Sequence, residues 1–353
     1  MLVRALRFKY QPVNAHLIPI RRCNLSCRYC NEYDDHSPPV PTDEILRRVD
    51  RLAALGCGII TVSGGEPLLH HDLEAIIGHI RQRGAIATLI TNGYLLTRDR
   101  IRRLNRAGLD HLQISIDNVL PDDVSMKSLK VLDPKLAWLA SDAEFDVTVN
   151  SVVGAGVRNP ADALTIAQRA RELGFSTTVG LIHDGTGQLL ALDQPQRDIL
   201  EAIVALGSSA FDFANYNRFQ KNLAAGAPNA WHCRAGARYL YVCEDGLVHW
   251  CSQQRGHPGI PLDKYGEDHL RAEYHREKSC APFCTVGCVH RVAQVDELRH
   301  DPDRALATWF AAPGEGRPRR LPPTVRVLRW AFVTNPRRDL FRDAVAAILG
   351  SRR

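Results

Sequence analysis

Six short apolar runs between residues 15 and 182 alternate with helical segments. The runs at 15–20, 58–63, 86–91, 111–116, 145–153 and 176–182 read as strands. Helical periodicity fills 42–56, 71–84, 97–108 and 159–174, with further helices at 134–143 and 195–207. Thr42 and Thr97 stand where N-caps belong, and Gly56, Gly84 and Gly108 where helices stop. Strands separated by helices of about 10–15 residues are βαβ units, so the sheet is parallel. Parallel crossovers are right-handed, and such sheets place their chemistry at the carboxyl ends of the strands.

Composition narrows the class. The chain has 353 residues, 45% hydrophobic and 24% charged, which suits a globular enzyme of one large or two modest domains. No apolar run approaches the roughly 20 residues of a membrane-spanning helix. Arg4, Arg7 and Lys9 interrupt the first segment, which makes it a poor signal peptide and points to the cytoplasm. Ten cysteines in that compartment point to metal binding or reactivity rather than disulfides. The net charge of +6 comes from residues 297–353, which hold 12 Lys/Arg against 6 Asp/Glu. The remaining 296 residues balance at 33 against 33, so no chain-wide nucleic-acid signature exists.

Directly after the first strand stands "CNLSCRYC", with Cys23, Cys27 and Cys30. A structural zinc site wants four ligands and a disulfide two. Three thiolates would hold three irons of a [4Fe–4S] cluster and leave the fourth open. A chance cluster or part of a zinc site is the competing reading. The second strand runs into "SGGEP" (63–67), the third into "TNG" (91–93) and the fourth into "ISID" (114–117), while the fifth carries Asn150 and Ser151.

This order of motifs over residues 15–182 resembles the radical S-adenosylmethionine (SAM) superfamily and its CxxxCxxC signature. The resemblance implies a partial (β/α)6 barrel, with SAM chelating the open iron. It implies that the turn of Gly64, Gly65, Glu66 and Pro67 binds the SAM ammonium. Asn92, Ser115, Asp117 and Asn150 become candidates for the SAM ribose or carboxylate. Tyr29 would lie near the adenine, flanked by Val179 and Gly180. One departure is "SIDN", where many relatives have glycine after the aspartate.

A second segment, "CRAGARYLYVCEDGLVHWC" (233–251), contains a hairpin pattern turning at Asp245–Gly246. Its Cys233–Gly246–Cys251 spacing resembles the opening of SPASM and twitch domains, which hold auxiliary [4Fe–4S] clusters. Cys280, Cys284 and Cys288 follow in a CxxxCxxxC pattern that departs from the usual CxxC, which leaves open which two complete the site. One auxiliary cluster, as in twitch, fits the six remaining cysteines; a four-thiolate zinc site is the rival. Cys243 and Cys57 read as buried structural thiols.

Three units are expected: a barrel over 1–210, an iron–sulfur extension over 211–300, and a basic linker with an amphipathic helix over 301–353. His70 and His71 read as cap and surface residues. Tyr33, His183 and Asp184 are candidates for substrate or proton contacts. The resemblance implies reductive SAM cleavage and hydrogen abstraction from a small-molecule, lipid or peptide substrate. It also implies an external electron donor of flavodoxin or ferredoxin type. No peptide-recognition domain precedes residue 15, which weighs against a leader-dependent peptide modifier. The arginines and apolar stripe of 335–350 suggest packing on the barrel or peripheral contact with the inner face of the membrane. The rival from another class is a non-catalytic iron–sulfur or zinc sensor, which leaves "SGGEP" without a purpose.

Overall fold

The computed structural model describes residues 7–154, 156–182, 189–206, 218–301 and 305. His183, Asp184 and the tail from 306 lie outside the described residues. Among the described residues, nine strands form one sheet in the order β6-β5-β4-β3-β2-β1-β7-β8-β9. The first six are β1 (Asn14–Leu17), β2 (Ile59–Val62), β3 (Ile86–Thr91), β4 (His111–Ser115), β5 (Asp146–Gly154) and β6 (Ser176–Ile182). All pair in parallel with their sequence neighbours, and helices connect them. These helices are α1 (Thr42–Ala54), α2 (Leu73–Gln82), α3 (Arg98–Ala107), α4 (Leu129–Asp142) and α5 (Ala161–Glu172). The protein is an α/β fold with the six-unit open barrel that the alternation implies.

Strand periodicity divides the residues between two faces. Ala15, Leu17, Ile60, Val62, Ala87, Leu89, Leu112 and Ile114 enter the main core with Ile45, Val49, Leu52, Ile76 and Ile80 of the helices. The alternate residues are polar and bond across strands. Thr88 donates to Thr61 at 2.8 Å, and Thr61 donates to Asn14 at 3.1 Å. The layered core therefore leaves a polar inner face.

Local details correct three expectations. Thr42 is the first helical residue rather than the cap: Pro41 precedes α1, its carbonyl accepts the amides of Glu44 and Ile45, and the Thr42 hydroxyl donates to Asp72 at 2.6 Å. The α4 helix starts at Leu129, with Pro134 inside it instead of at its head. His70 is fully buried, its Nε2 bonding the Val40 carbonyl at 2.9 Å and its Nδ1 accepting the Asp72 amide at 3.2 Å. Thr97 does cap α3, accepting the Arg100 amide at 3.1 Å, and Gly108 closes that helix with φ 80°. Cys57 and Cys243 are buried.

After α6 (Gln194–Leu206) and α7 (Arg218–Ala224) the chain returns to the sheet. The expected hairpin forms as β7 (Tyr239–Val242) and β8 (Leu247–His249), and β9 (Pro258–Pro261) pairs next to it. The pairing of β7 with β1 is parallel, so the extension continues the barrel sheet on its open side. Arg48 of α1 ties the junction, donating to the Cys243 carbonyl at 2.9 Å. Gly246 sits in the hairpin turn at φ 79°, and a Cβ there would come within 3.0 Å of the Arg48 guanidinium. Among the described residues, two further α-helices follow, α8 (Glu267–His275) and α9 (Gly287–His300), and α9 packs Val289 and Val292 against Tyr239 and Tyr241.

Candidate active site

The loop carrying Cys23, Cys27 and Cys30 leaves the carboxyl end of β1 and folds against the turn after β2. The contact is backbone on backbone: the Gly65 amide donates to Ile20 at 3.1 Å and the Glu66 amide to Arg22 at 3.0 Å. A Cβ on Gly65 would stand 2.1 Å from the Arg21 carbonyl oxygen and 2.4 Å from that of Arg22. Glycine is demanded here by the close approach of the loop. Glu66 is fully buried, accepting Thr91 Oγ1 at 2.7 Å and the amides of Asn92 at 2.8 Å and Leu68 at 2.9 Å. Burial raises its pKa, against which those three donors act. Pro67 opens the short helical turn that follows.

The sulfurs are prepared as acceptors. Cys23 Sγ takes the Leu25 amide at 3.4 Å and Asn92 Nδ2 at 3.6 Å. Cys30 Sγ takes the Glu32 amide at 3.5 Å, and Cys27 Sγ lies 3.4 Å from Ser125 Oγ. Burial raises the Cys23 thiol and pushes Cys30 up to about 11. Such thiols stay protonated until a metal displaces the proton.

The strand ends bring most of the expected polar residues to this loop. Asn92 spends its amide on Asn24, at 2.8 Å, as well as on Cys23. Asp117 is 1% exposed, and its Oδ2 accepts Tyr29 Oη, Ser125 Oγ at 2.7 Å and Lys127 Nζ at 3.1 Å. Its Oδ1 is buried with no hydrogen-bond partner. Ser115 and Asn150 are register partners, and Asn150 Oδ1 accepts Thr178 Oγ1 at 2.9 Å. Val179 is a correction. It belongs to an apolar cluster with Ala163, Ala167, Leu200 and Ile203, so its side chain faces the helices. The period of two instead puts Gly180 on the inner face.

In the extension, four thiols act on one another electrostatically: Cys233 with Cys280, Cys251 with both, and Cys284 with all three. Each of three also receives a backbone amide from two residues ahead: Cys233 from Ala235, Cys251 from Gln253 and Cys284 from Val286. Cys23 and Cys30 share that turn geometry. Burial pushes Cys251 up to about 12 and raises Cys233 and Cys284. Cys288 packs against the cluster that holds Cys233 and Cys251. Arg291 and Glu32 are the charged groups acting on it, and it acts in turn on Tyr239.

Several inner-face residues had no motif to announce them. Tyr241 donates to Glu32 at 2.6 Å. His16 lies between Ser63, at 3.3 Å from Nδ1, and the rings of Tyr239 and Tyr241. Its Nε2 is buried without a partner, and burial lowers its pKa to about 4. The alternation in "YLYV" was the available signal for the two tyrosines; nothing local marked Glu32, His16 or Lys127. Cys243, Asp245 and His249 also converge, their ligand-type atoms within 4.8 Å. That trio does not suit a metal. His249 Nδ1 accepts the Gly256 amide at 2.9 Å, so the nitrogen 3.6 Å from Asp245 carries the proton and offers no lone pair.

An open parallel β/α barrel with a three-thiol loop seated on a Gly-Gly-Glu-Pro turn defines a class of iron–sulfur protein. Residues 17–189 match the Radical SAM superfamily, and that part of the chain is a radical SAM domain. The superfamily implies a [4Fe–4S] cluster and SAM. Among curated relatives, a PqqA peptide cyclase from Rhodopseudomonas palustris is 30% identical over 214 residues, 59% of this chain and 48% of that protein. An Fe-coproporphyrin III synthase from Methanosarcina barkeri is 31% identical over 136 residues, 36% of this chain and 33% of that one. This chain thus spans about half the length, or less, of these curated relatives. Among solved structures, Streptococcus suis SuiB bound to S-adenosylmethionine superposes with a TM-score of 0.55 at 16% identity, covering 82% of this chain and 75% of that one. That likeness is one of fold. No described helix is long and apolar enough to cross a membrane.

Proposed function

We propose that this chain is a radical SAM enzyme acting on a peptide, with Cys23, Cys27 and Cys30 holding the SAM-binding cluster. The observation that carries the reading is the seating of the three-thiol loop on the Gly64–Pro67 turn, with amide donors already aimed at Cys23 and Cys30. When bound, the cluster supplies the electron that splits SAM into methionine and a 5′-deoxyadenosyl radical, which takes a hydrogen atom from the substrate. The chain's own residues orient SAM and keep water away. Glu66 locks the Gly-Gly turn through three donors, which leaves the turn's backbone to meet the SAM amino group. The unpartnered Oδ1 of Asp117 is an acceptor for a ribose hydroxyl, and Ser115 and Asn150 face the same side.

Cys233, Cys251, Cys280 and Cys284 form the auxiliary [4Fe–4S] site, with Cys288 outside it. Zinc–sulfur bonds of about 2.3 Å would draw four sulfurs to about 3.8 Å from one another. Among the described residues, only Cys243, Asp245 and His249 gather their ligand-type atoms within 4.8 Å, so the four thiols stand wider than one zinc ion asks. A peptide substrate is favoured because several curated relatives are named as peptide cyclases. Electrons come from an external flavodoxin- or ferredoxin-type donor. The test is anaerobic reconstitution with SAM and dithionite, with 5′-deoxyadenosine as the readout. Formation well above a Cys23→Ala control is expected, and equal amounts from both would return the chain to a sensor role.

A further inference from the structure

The loop between β4 and α4, residues 118–128, crosses directly over the cluster loop: the Arg28 amide donates to the Val124 carbonyl at 3.0 Å, and the amides of Asp117 and Asn118 both donate to Lys127. It delivers a lysine into the site. Only 13% of the Lys127 side chain remains exposed. Its Nζ is 2.5 Å from Tyr29 Oη, 3.1 Å from Asp117 Oδ2 and 5.1 Å from the centre of the Tyr29 ring. A buried ammonium survives only where opposite charge and acceptors replace water. Burial works against the Lys127 charge, but Asp117 and Tyr29 hold its pKa well above the ordinary value. The ammonium is therefore a fixed positive charge.

Its position relative to the sulfurs gives it a role. Tyr29, which its Nζ touches, lies between Cys27 and Cys30 in the cluster loop, and Ser125, two residues before the lysine, has its Oγ 3.4 Å from Cys27 Sγ. The opposing carboxylate shares one oxygen among three donors, which disperses its charge. Reducing a thiolate-bound cluster adds one negative charge to a site already negative. In a poorly solvated region a nearby cation attracts that added charge more strongly than the same cation would at the water-exposed surface.

We propose that Lys127 is a built-in counter-charge for the SAM cluster: it raises the reduction potential of the iron–sulfur group held by Cys27 and Cys30, while Tyr29 and Asp117 fix its place. Lys127 is thus a positioning and tuning residue. The inference rests on the proposed cluster at Cys23, Cys27 and Cys30, and its test separates the two. In the reconstituted holoenzyme, the reduced-cluster EPR signal that changes on adding SAM identifies this cluster. Its midpoint potential is then titrated without SAM. Lys127→Met is expected to move the midpoint to a more negative value, Asp117→Asn to a less negative one, and Lys127→Arg to leave it within error of wild type. Iron content and thermal unfolding monitor folding for each variant. A purely structural role would move Lys127→Met and Asp117→Asn together or neither. Unchanged midpoints in fully loaded variants, or shifts of the same sign, would overturn the proposal. Should Lys127→Met fail to load, the sign of the Asp117→Asn shift and the neutrality of Lys127→Arg decide it alone. Loss of SAM affinity with an unchanged midpoint would also overturn it, making Lys127 a ligand for SAM. A wild-type protein with no SAM-responsive signal would remove the cluster reading, and this proposal with it.

Discussion

The two cysteine sites solve the same electrostatic problem with different numbers of ligands. In the barrel loop three thiols sit at a strand end, partly open, beside a polar turn. In the extension Cys233 and Cys251 are buried in one cluster with Tyr239 and Tyr241, and Cys288 packs against it. Both sites aim amides at sulfur from two residues ahead, the donor geometry that a thiolate ligand uses. The difference is the missing fourth thiol. A three-ligand site leaves a position for a reactant, as an open metal site does, whereas a complete set closes the group off from exchange. On the proposed reading, the barrel loop is the place for chemistry and the extension the place for electron storage or substrate support.

The strongest way to break this comparison is to remove one thiol from each side. Cys27→Ala is expected to bring 5′-deoxyadenosine to background. Cys233→Ala with Cys251→Ala should retain SAM cleavage while iron falls from about eight per chain to about four, since each cubane carries four. Cys288→Ala should keep about eight, and a fall to four would place Cys288 in the quartet instead of Cys280 or Cys284. Stoichiometric zinc beside four irons would leave the extension a zinc site.

The next effect is steric and confined to one side. In Gly65→Ala, the added Cβ meets two backbone carbonyl oxygens, at 2.1 and 2.4 Å, so the cluster loop must shift. Loss of most SAM-cluster iron is expected, with the auxiliary iron retained. Full iron and full SAM cleavage in that variant would mean that the turn and loop do not touch as described.

A gentler test uses pH. Burial holds Cys30 up at about 11 and Cys243 and Cys251 at about 12 in the metal-free chain. The unfolded chain releases such protons near about 8.5, while the folded chain keeps them. Their stabilisation is therefore complete below about 8.5 and is lost as pH rises toward the folded values. Denaturant unfolding of metal-free protein should show stability falling as pH rises from about 8.5 toward about 11 and 12. In loaded protein Cys30 and Cys251 are already thiolates, so the slope should shrink, with the Cys243 share remaining. Identical slopes would argue that neither thiol becomes a ligand. The smallest effect is a control. Thr97→Ala removes one cap bond and should cost about 1 kcal/mol without changing iron content.

Legibility differed sharply between regions. The six β/α units were readable because each strand and helix buries one face, which writes periods of two and 3.6 into adjacent residues. Cap residues were readable where the hydroxyl had no better partner, as at Thr97, and misread where it had one, as at Thr42 with Asp72. Within the site, the three cysteines and the Gly-Gly-Glu-Pro turn were legible, because ligand spacing and close backbone approach are local constraints. Val179 was misread because its place in the order of strands was clear while the face it presents was not.

By itself, then, the sequence determined the parallel barrel, the thiol loop and the kind of group it can hold, all set by residues near one another in the chain. Tertiary structure alone decided that β7 joins β1, that Tyr241 reaches Glu32, and that Lys127 reaches Tyr29 and Asp117. Those outcomes depend on which side chains meet across loops and strands far apart in sequence. Contacts of that kind have no period to betray them, and are fixed only when the core closes.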